Sequence, residues 1–218
     1  MFISFEGLDG SGKTTITHKL EAAMQSLYPH LNVIWTREPG GTNIKEAEKI
    51  REIILDKDHE LSPVAEALLY SASRRIHLEK VIWPALKNND FVICDRYVDS
   101  FFAYQGYARN LGIDFAKKIT EIAIENSMPD ITFFLNLTPE ESKIRRQSSR
   151  LVEDRMEQEK ENFHKGVYDG YLNLIKEDPN RFIIIDATKS PEEVLEDIIA
   201  ELQKHPKFIA YLASNDTK

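Results

Sequence analysis

The chain has 218 residues, 42% of them hydrophobic and 29% charged, and a formal net charge of −8. This acidic balance argues against general binding of nucleic acid or of an anionic membrane surface, so an anionic ligand would have to be met by local arginines. No stretch approaches the ~20 consecutive apolar residues of a membrane span. One cysteine, Cys94, leaves no pair for a disulfide. We expect a soluble, cytoplasmic protein with a single domain over residues 1–218.

The chain begins with an apolar segment that runs directly into a glycine-rich loop. Residues 1–5 predict a buried strand, and residues 7–14 fill every fixed position of the pattern G-x-x-x-x-G-K-[ST]. In such a loop the backbone N–H groups cradle phosphate oxygens, while the lysine reaches the outer phosphates and the hydroxyl holds Mg²⁺. The helix predicted at 13–27 directs its positive end at the same place. The residues of this phosphate loop are Gly7, Leu8, Asp9, Gly10, Ser11, Gly12, Lys13 and Thr14.

Further apolar segments alternate with helical patterns along the chain. Strands are predicted at 32–36, 91–95, 131–136 and 181–186. Helices are predicted at 42–55, 63–86 with a bend near Pro84, 100–107, 114–126, from 138, 162–176 and 190–203, and the tail at 204–218 is ambiguous. Apolar strands that alternate with helices are typical of a parallel sheet covered on both faces. The pattern therefore predicts an α/β fold with a five-stranded parallel sheet.

Ligands of such folds bind beyond the carboxyl ends of the strands. Three segments fall at these ends: the phosphate loop, Arg-Glu-Pro at 37–39 and Asp-Arg-Tyr at 95–97. Asp95 ends a buried strand, so its carboxylate can hold the magnesium shell beside the phosphate loop. The alternative is a strand-ending carboxylate that only caps a turn. With the phosphate loop nearby, we predict that Thr14 and Asp95 are the metal-binding residues.

Together the motifs resemble those of bacterial thymidylate kinases. The resemblance rests on the phosphate loop with Asp9, on Thr-Arg-Glu-Pro-Gly-Gly-Thr at 36–42, on Asp-Arg-Tyr at 95–97 and on Ala-Tyr-Gln-Gly at 103–106, in this order. It implies a P-loop NTPase fold with a short lid segment at about 145–160. It also implies a homodimeric kinase that binds the small molecules ATP and dTMP, uses Mg²⁺, and transfers the γ-phosphoryl group of ATP to the 5′-phosphate of dTMP.

A phosphate monoester is already largely a dianion at neutral pH, so such an acceptor needs positive charge and alignment rather than a strong base. The resemblance implies that Arg37, Arg51 and Arg96 hold this phosphate, although Arg37 and Arg51 could instead be solvated surface charges. Tyr70 and Arg74 are four residues apart on one helix face. By resemblance, Tyr70, in place of the more usual Phe, stacks on thymine, and Arg74 donates to its O4 atom.

The segment after Asp95 supplies the rest of the implied acceptor site. Gln105 matches the residue that reads the imide edge of thymine, and Tyr104 matches one packed under the deoxyribose. Ser100 is predicted to be a helix N-cap. Phe101 departs from the family, in which many members have a small polar residue, so this side chain either narrows the pocket or turns away. The substrate-binding residues implied are Asp9, Arg37, Glu38, Pro39, Arg51, Tyr70, Arg74, Arg96, Ser100, Tyr104 and Gln105.

The charged run from Arg145 onward resembles the lid over the phosphates. The phosphate loop here has no arginine, and in this family such a loop goes with lid arginines that complete the charge clamp. The implied catalytic residues are Lys13, Arg96, Arg150 and Arg155, with Arg146 as a further candidate. Arg145 is expected to lie against adenine as part of the ATP site, near the loop at 186–189. The alternative for each lid arginine is a solvated helix face.

Two other functions stay open on the sequence alone. In a deoxynucleoside kinase, Glu38 would act as the base for a neutral 5′-hydroxyl group. In a P-loop regulatory module, nucleotide hydrolysis would switch the conformation. The arginines favour a dianionic acceptor, because a nucleoside would leave them uncompensated, and the short chain with a full set of acceptor-site residues argues against the module.

Overall fold

The computed structural model describes residues 1–149, 155–156 and 159–215. Its sheet has the strand order β2-β3-β1-β4-β5, and each neighbouring pair is parallel. The predicted α/β class and five-stranded parallel sheet are thereby confirmed. The first, second and fifth strands each begin one residue later than predicted. The strands are β1 Phe2–Glu6, β2 Val33–Arg37, β3 Phe91–Asp95, β4 Ile131–Asn136 and β5 Phe182–Asp186.

Helices cover both faces of the sheet, which explains why β1 and β3 are buried along their whole length. The α-helices are α1 Lys13–Leu27, α2 Lys45–Leu55, α3 Pro63–His77, α4 Trp83–Lys87, α5 Val98–Phe101, α6 Ile113–Ile124, α7 Pro139–Ser149, α8 Glu161–Glu177, α9 Pro191–Lys204 and α10 Pro206–Asn215. Apolar residues of α1, α9 and α10 form the core on one face. The core on the other face comes from α3, α5, α6 and α8.

The helix starts that were predicted from capping residues lie where expected. Ser62 accepts a hydrogen bond from the Ala65 N–H at the start of α3. Ser190 and Glu193 form a capping box at the start of α9, in which each side chain bonds the other's backbone N–H. The tail forms α10, whose Phe208 ring lies 5.8 Å from the ring of Phe91 in β3. None of the helices in the described ranges is both long and apolar enough to cross a membrane.

Two segments predicted as plain α-helix contain wider π-helical turns. The first, Leu78–Ile82, lies directly before α4, in which Pro84 lacks the N–H that a continuous helix would use. The second, Phe102–Ala108, follows α5. Ser100 lies inside α5 rather than at its N-cap, so the capping prediction is wrong: its hydroxyl donates to the buried Glu6 carboxylate instead.

Helix α8 packs closely against the π-helical segment Phe102–Ala108. The contact depends on a glycine, because a Cβ atom at Gly170 would lie 3.1 Å from the Ala103 Cα and from the Tyr107 side chain. The same helix carries Tyr171, which lies one residue further and is buried. The position of the segment that carries Tyr104 and Gln105 is therefore set partly by α8.

Candidate active site

The phosphate loop and the segments after β2 and β3 meet at one edge of the sheet, where they enclose a cavity of about 500 Å³. This size is typical of pockets for nucleotide-sized ligands. The predicted site residues that line it are Asp9, Gly10, Gly12, Lys13, Thr14, Arg37, Glu38, Pro39, Arg51, Tyr70, Arg74, Asp95, Arg96, Ser100, Tyr104, Gln105 and Arg145. The structure thus brings together residues that lie more than 100 positions apart in the sequence.

Within the phosphate loop, Lys13 is folded back on neutral oxygens of the loop itself. Its ammonium group donates to the Leu8 carbonyl at 2.9 Å and to the Ser11 hydroxyl at 3.3 Å. The loop stays tight because Gly7 has no side chain: a Cβ atom there would lie 2.6 Å from the Leu135 carbonyl oxygen. Burial lowers the pKa of Lys13 to about 8, and the nearby Arg96 guanidinium adds to this effect.

This pKa leads to a test of where the outer phosphates bind. At pH 8 about half of the Lys13 side chains are neutral in the free protein, and a bound phosphate anion favours the charged form. ATP binding at pH 8 should therefore take up roughly half a proton, and less at pH 7. Calorimetry in two buffers of different ionisation enthalpy measures this uptake. If the Lys13→Ala variant takes up as many protons as the wild type, another group is responsible.

Thr14 and Asp95 form a pair that fits a divalent cation. The Thr14 hydroxyl donates to Asp95 Oδ2 at 2.5 Å, whereas Asp95 Oδ1 is buried without a hydrogen-bond partner among the described residues. A hydroxyl and one carboxylate are the few protein ligands that Mg²⁺ typically takes when phosphates and water complete its shell. Within the described ranges no cluster of three or more acidic, His or Cys side chains could hold a metal alone. A cation here would therefore depend on nucleotide phosphates.

Arg96 occupies the centre of the site, with a left-handed backbone at φ 68°. Its Nη1 atom donates to the Gly7 carbonyl at 3.1 Å and to the Ser100 hydroxyl at 3.0 Å, and its Nη2 atom pairs with Asp9 at 2.5 Å. Tyr104 donates to the second Asp9 oxygen at 3.0 Å. Burial would raise the pKa of Asp9, but the charges of Arg96 and Lys13 and these hydrogen bonds outweigh it and hold that pKa well below its usual range. Asp9 is thus a fixed anion that orients Arg96.

Glu6, at the end of β1, lies beneath this group and was missed from the sequence. It accepts hydrogen bonds from the Tyr97 N–H at 2.8 Å, from the Ser100 hydroxyl and from the Tyr171 hydroxyl at 2.8 Å. Burial, followed by the charge of Asp99, raises the pKa of Glu6 to about 7. A carboxylate at the end of a mostly apolar strand, directly before the phosphate loop, is the signal that could have identified it.

Glu38 and Arg74 form a buried ion pair at one wall of the cavity. Arg74 Nε donates to Glu38 Oε2 at 2.7 Å, and the other Glu38 oxygen lies 3.2 Å from His77 Nδ1. His77, which no sequence pattern indicated, contacts the Thr36 hydroxyl with its second nitrogen at 2.6 Å. Arg74 Nη1 is buried and has no acceptor among the described residues. The pair thus leaves one buried donor at a wall of the cavity.

Arg37 and Arg51 are tied to the turn after β2. Arg37 Nη2 contacts both carboxylate oxygens of Glu48, at 3.1 and 2.9 Å, and Arg51 Nη1 donates to the Pro39 carbonyl at 2.9 Å. Glu48, a further residue missed from the sequence, also accepts from the Gly41 N–H at 3.0 Å. Both arginines line the cavity rather than lying on an open surface.

The cavity wall nearest α3 is aromatic. The Tyr70 and Phe101 rings lie 6.4 Å apart, and the Arg74 guanidinium carbon is 5.2 Å from the Phe101 ring centre. Of the two alternatives for Phe101, the structure shows a buried side chain that lines the cavity. Gln105 is buried in the same wall, with its amide nitrogen donating to Glu66 at 2.9 Å.

The predicted lid is described only in part. Arg150 lies outside the described residues, as do residues 151–154 and 157–158. Arg155 pairs with Glu66 in the first turn of α3 at 2.5 Å and donates to the carbonyl of Ile54, near the end of α2, at 2.8 Å. Arg146 contacts His164 at 2.9 Å. Arg145 donates to the Thr188 carbonyl at 3.3 Å, which joins two segments expected near adenine. The catalytic roles of these arginines stay predictions.

Comparisons with known proteins identify the family. The family model described as thymidylate kinase matches residues 5–198. Thymidylate kinase of Mycoplasmopsis agalactiae is 55% identical, covering 99% of this chain and 100% of that protein, and that of Mycoplasma mobile is 50% identical, covering 94% and 98%. A crystal structure of thymidylate kinase from Ehrlichia chaffeensis matches with a TM-score of 0.74 at 35% identity, covering 93% of this chain and 98% of that one. The chain therefore belongs to the thymidylate kinase family, as its resemblance to that family predicted.

Proposed function

We propose that the cavity binds dTMP with its 5′-phosphate facing the phosphate loop, and that Lys13 and the surrounding arginines stabilise phosphoryl transfer to it. The reaction is that of the family, in which ATP phosphorylates dTMP to dTDP. The observation that carries the assignment of the site is the convergence of Lys13, Arg37, Arg51 and Arg96 on one cavity in a chain of net charge −8. Such a concentration of positive charge suits two phosphate-bearing substrates.

In the proposed transfer, an oxygen of the dTMP phosphate forms a bond to the γ-phosphorus of ATP while the bond from that phosphorus to the β,γ-bridging oxygen breaks. Arg37, Arg51 and Arg96 would hold the acceptor, and Lys13 would neutralise charge on the transferring group. Thr14 and Asp95 would hold Mg²⁺, which supplies further charge neutralisation when it is bound. No side chain needs to remove a proton, because the acceptor is a dianion at neutral pH.

The aromatic wall supports a thymine site. Tyr70 offers a ring for stacking, and the buried Nη1 donor of Arg74 suits the O4 atom of thymine. Tyr104, held by Asp9, is proposed to lie under the deoxyribose, where it leaves little room for a 2′-hydroxyl group. The deoxynucleoside kinase alternative is disfavoured by Glu38, since both of its carboxylate oxygens already have buried partners in Arg74 and His77.

A coupled assay of ADP release tests the proposal, with ATP-Mg²⁺ and either dTMP, thymidine or no acceptor. We expect turnover that requires dTMP and is lost when EDTA removes the metal. Turnover with thymidine would instead support the deoxynucleoside kinase, and ADP release without any acceptor would support the regulatory module.

We also propose a cytoplasmic homodimer. The helices α3 and α6 pack together and expose Val64, Leu68 and Ile122, apolar residues that a second copy of the chain could cover. Cys94 is buried in β3 and free, as expected for a chain with no need of an oxidising compartment. Sedimentation of the purified protein would test the dimer, since a mass of one chain contradicts it.

A further inference from the structure

Glu66 is a buried carboxylate that the proposed mechanism does not use. It lies in the first turn of α3 and is only 1% exposed. Its Oε1 atom accepts from Gln105 Nε2 at 2.9 Å and from Arg109 Nε at 3.2 Å, and its Oε2 atom accepts from Arg155 at 2.5 Å. Burial would raise the pKa of Glu66, but the hydrogen bond from Gln105 and the charge of Arg109 outweigh it, so the pKa is lowered and the group is ionised at neutral pH.

An ionised carboxylate can only accept hydrogen bonds, which restricts its neighbour. The Gln105 amide has donors on one side and an acceptor on the other, so only its Nε2 group can face Glu66. The Oε1 atom then points away from Glu66. Gln105 lines the cavity, and within the part of the chain that the structure describes no side chain or backbone group donates to this oxygen. The amide therefore offers the cavity a hydrogen-bond acceptor.

We propose that Glu66 is a specificity-determining positioning residue: it fixes the Gln105 amide so that the cavity presents an acceptor to the edge of the base. An acceptor pairs with the N3–H group of thymine or uracil. Cytosine has a lone pair at N3, so it would face the Gln105 oxygen with a second acceptor and leave both atoms unpaired. This inference rests on the proposed function, in which the base lies against Gln105.

The Glu66→Gln variant tests the proposal, because a glutamine there can either donate or accept and so permits the Gln105 amide to turn over. The ratio of kcat/KM for dTMP to that for dCMP should fall by about tenfold or more. The turned amide would donate to N3 of cytosine, so dCMP would no longer leave two buried acceptors unpaired. Glu159→Gln is the matched control. Glu159 pairs with Arg109 at 2.5 Å, so this variant removes the same charge beside the same arginine, and it should leave the ratio unchanged.

A second variant restores the acceptor. In Glu66→Gln/Gln105→Glu, residue 66 donates to the new carboxylate, which can only accept and so again offers an oxygen to the cavity. The preference for dTMP over dCMP should return to within about threefold of the wild-type value. A purely structural role for Glu66 would not predict this rescue, because the double variant changes more of the site than the single one.

A measurement on the wild-type protein covers the case in which these variants do not fold. One Nε2 proton of Gln105, whose NMR signal is identified by its loss in Gln105→Met, should exchange slowly with water both before and after dTMP binds. Rapid exchange of both Nε2 protons would overturn the proposal. So would folded Glu66→Gln protein that keeps the full dTMP preference at reduced kcat. Wild-type protein that fails to phosphorylate dTMP would instead refute the proposed function.

Discussion

Lys13→Ala should lower kcat by about a thousandfold or more, which is the upper end of the effect of removing one preorganised group from a transition state. Among the described residues, the ammonium group donates to the Leu8 carbonyl and the Ser11 hydroxyl and to no carboxylate. A phosphate oxygen can therefore replace these acceptors without breaking an ion pair within that part of the chain. It sits in a buried position, where its charge acts on the transferring group with little screening by water. Steady-state kinetics at saturating ATP, dTMP and Mg²⁺ measures the effect.

Lys19→Ala is the matched control, because Lys19 lies on the same helix, pairs with Glu192 at the surface and does not line the cavity. Its kcat should stay close to that of the wild type. Near-normal kcat in folded Lys13→Ala protein would contradict the role of the phosphate loop in transfer.

Arg96→Lys should lower kcat/KM for dTMP by about 10²–10³-fold although the charge is kept. The guanidinium group of Arg96 donates hydrogen bonds to the Gly7 carbonyl, to Ser100 and to Asp9. A single ammonium group cannot reproduce this planar, forked arrangement of donors. The substitution leaves the negative charge of Asp9 less well neutralised, beside the place where the dTMP phosphate is proposed to bind. The added repulsion should weaken dTMP binding as well as turnover, so KM for dTMP should rise while KM for ATP changes less.

Arg75→Lys is the control for this variant. Arg75 pairs with the exposed Glu79 and Glu125 and does not line the cavity, so its replacement should not alter either kinetic constant. Thermal unfolding of both variants separates folding from function. Arg96→Lys protein with unchanged kcat/KM would refute the central role of this arginine.

The position of a candidate site residue could be predicted from the sequence where its motif is contiguous and the backbone determines the geometry. Residues 7–14 and Asp95 are of this kind. The loop directly follows β1 and Asp95 is the last residue of β3, so both lie at the carboxyl ends of strands. Charged residues that act through distant partners could not be found in this way. Glu66 bonds Gln105 across 39 positions, and Glu6 bonds Tyr171 across 165. No local pattern records such a pair.

The error at Ser100 has a related cause. A serine followed by an apolar and aromatic run reads locally as the start of a helix, whereas α5 begins at Val98 and then widens into a π-helical turn. The widening is a property of the packing around the turn, and π-helical turns are frequent at functional sites. The Ser100 hydroxyl donates its hydrogen bond to the buried Glu6 instead of capping the helix.

The contact between Gly170 and the π-helical segment has a consequence for how nucleotide preference can change. Tyr104 and Gln105 lie on a segment whose position is set partly by α8, a helix that begins more than 50 positions later in the chain and faces Ala103 and Tyr107 with Gly170. A side chain added at Gly170 would come within 3.1 Å of the Ala103 Cα and of the Tyr107 side chain, so the segment that carries Tyr104 and Gln105 would have to shift, although Gly170 itself does not line the cavity. The substrate preference of this enzyme can therefore change through substitutions at residues that do not contact a ligand.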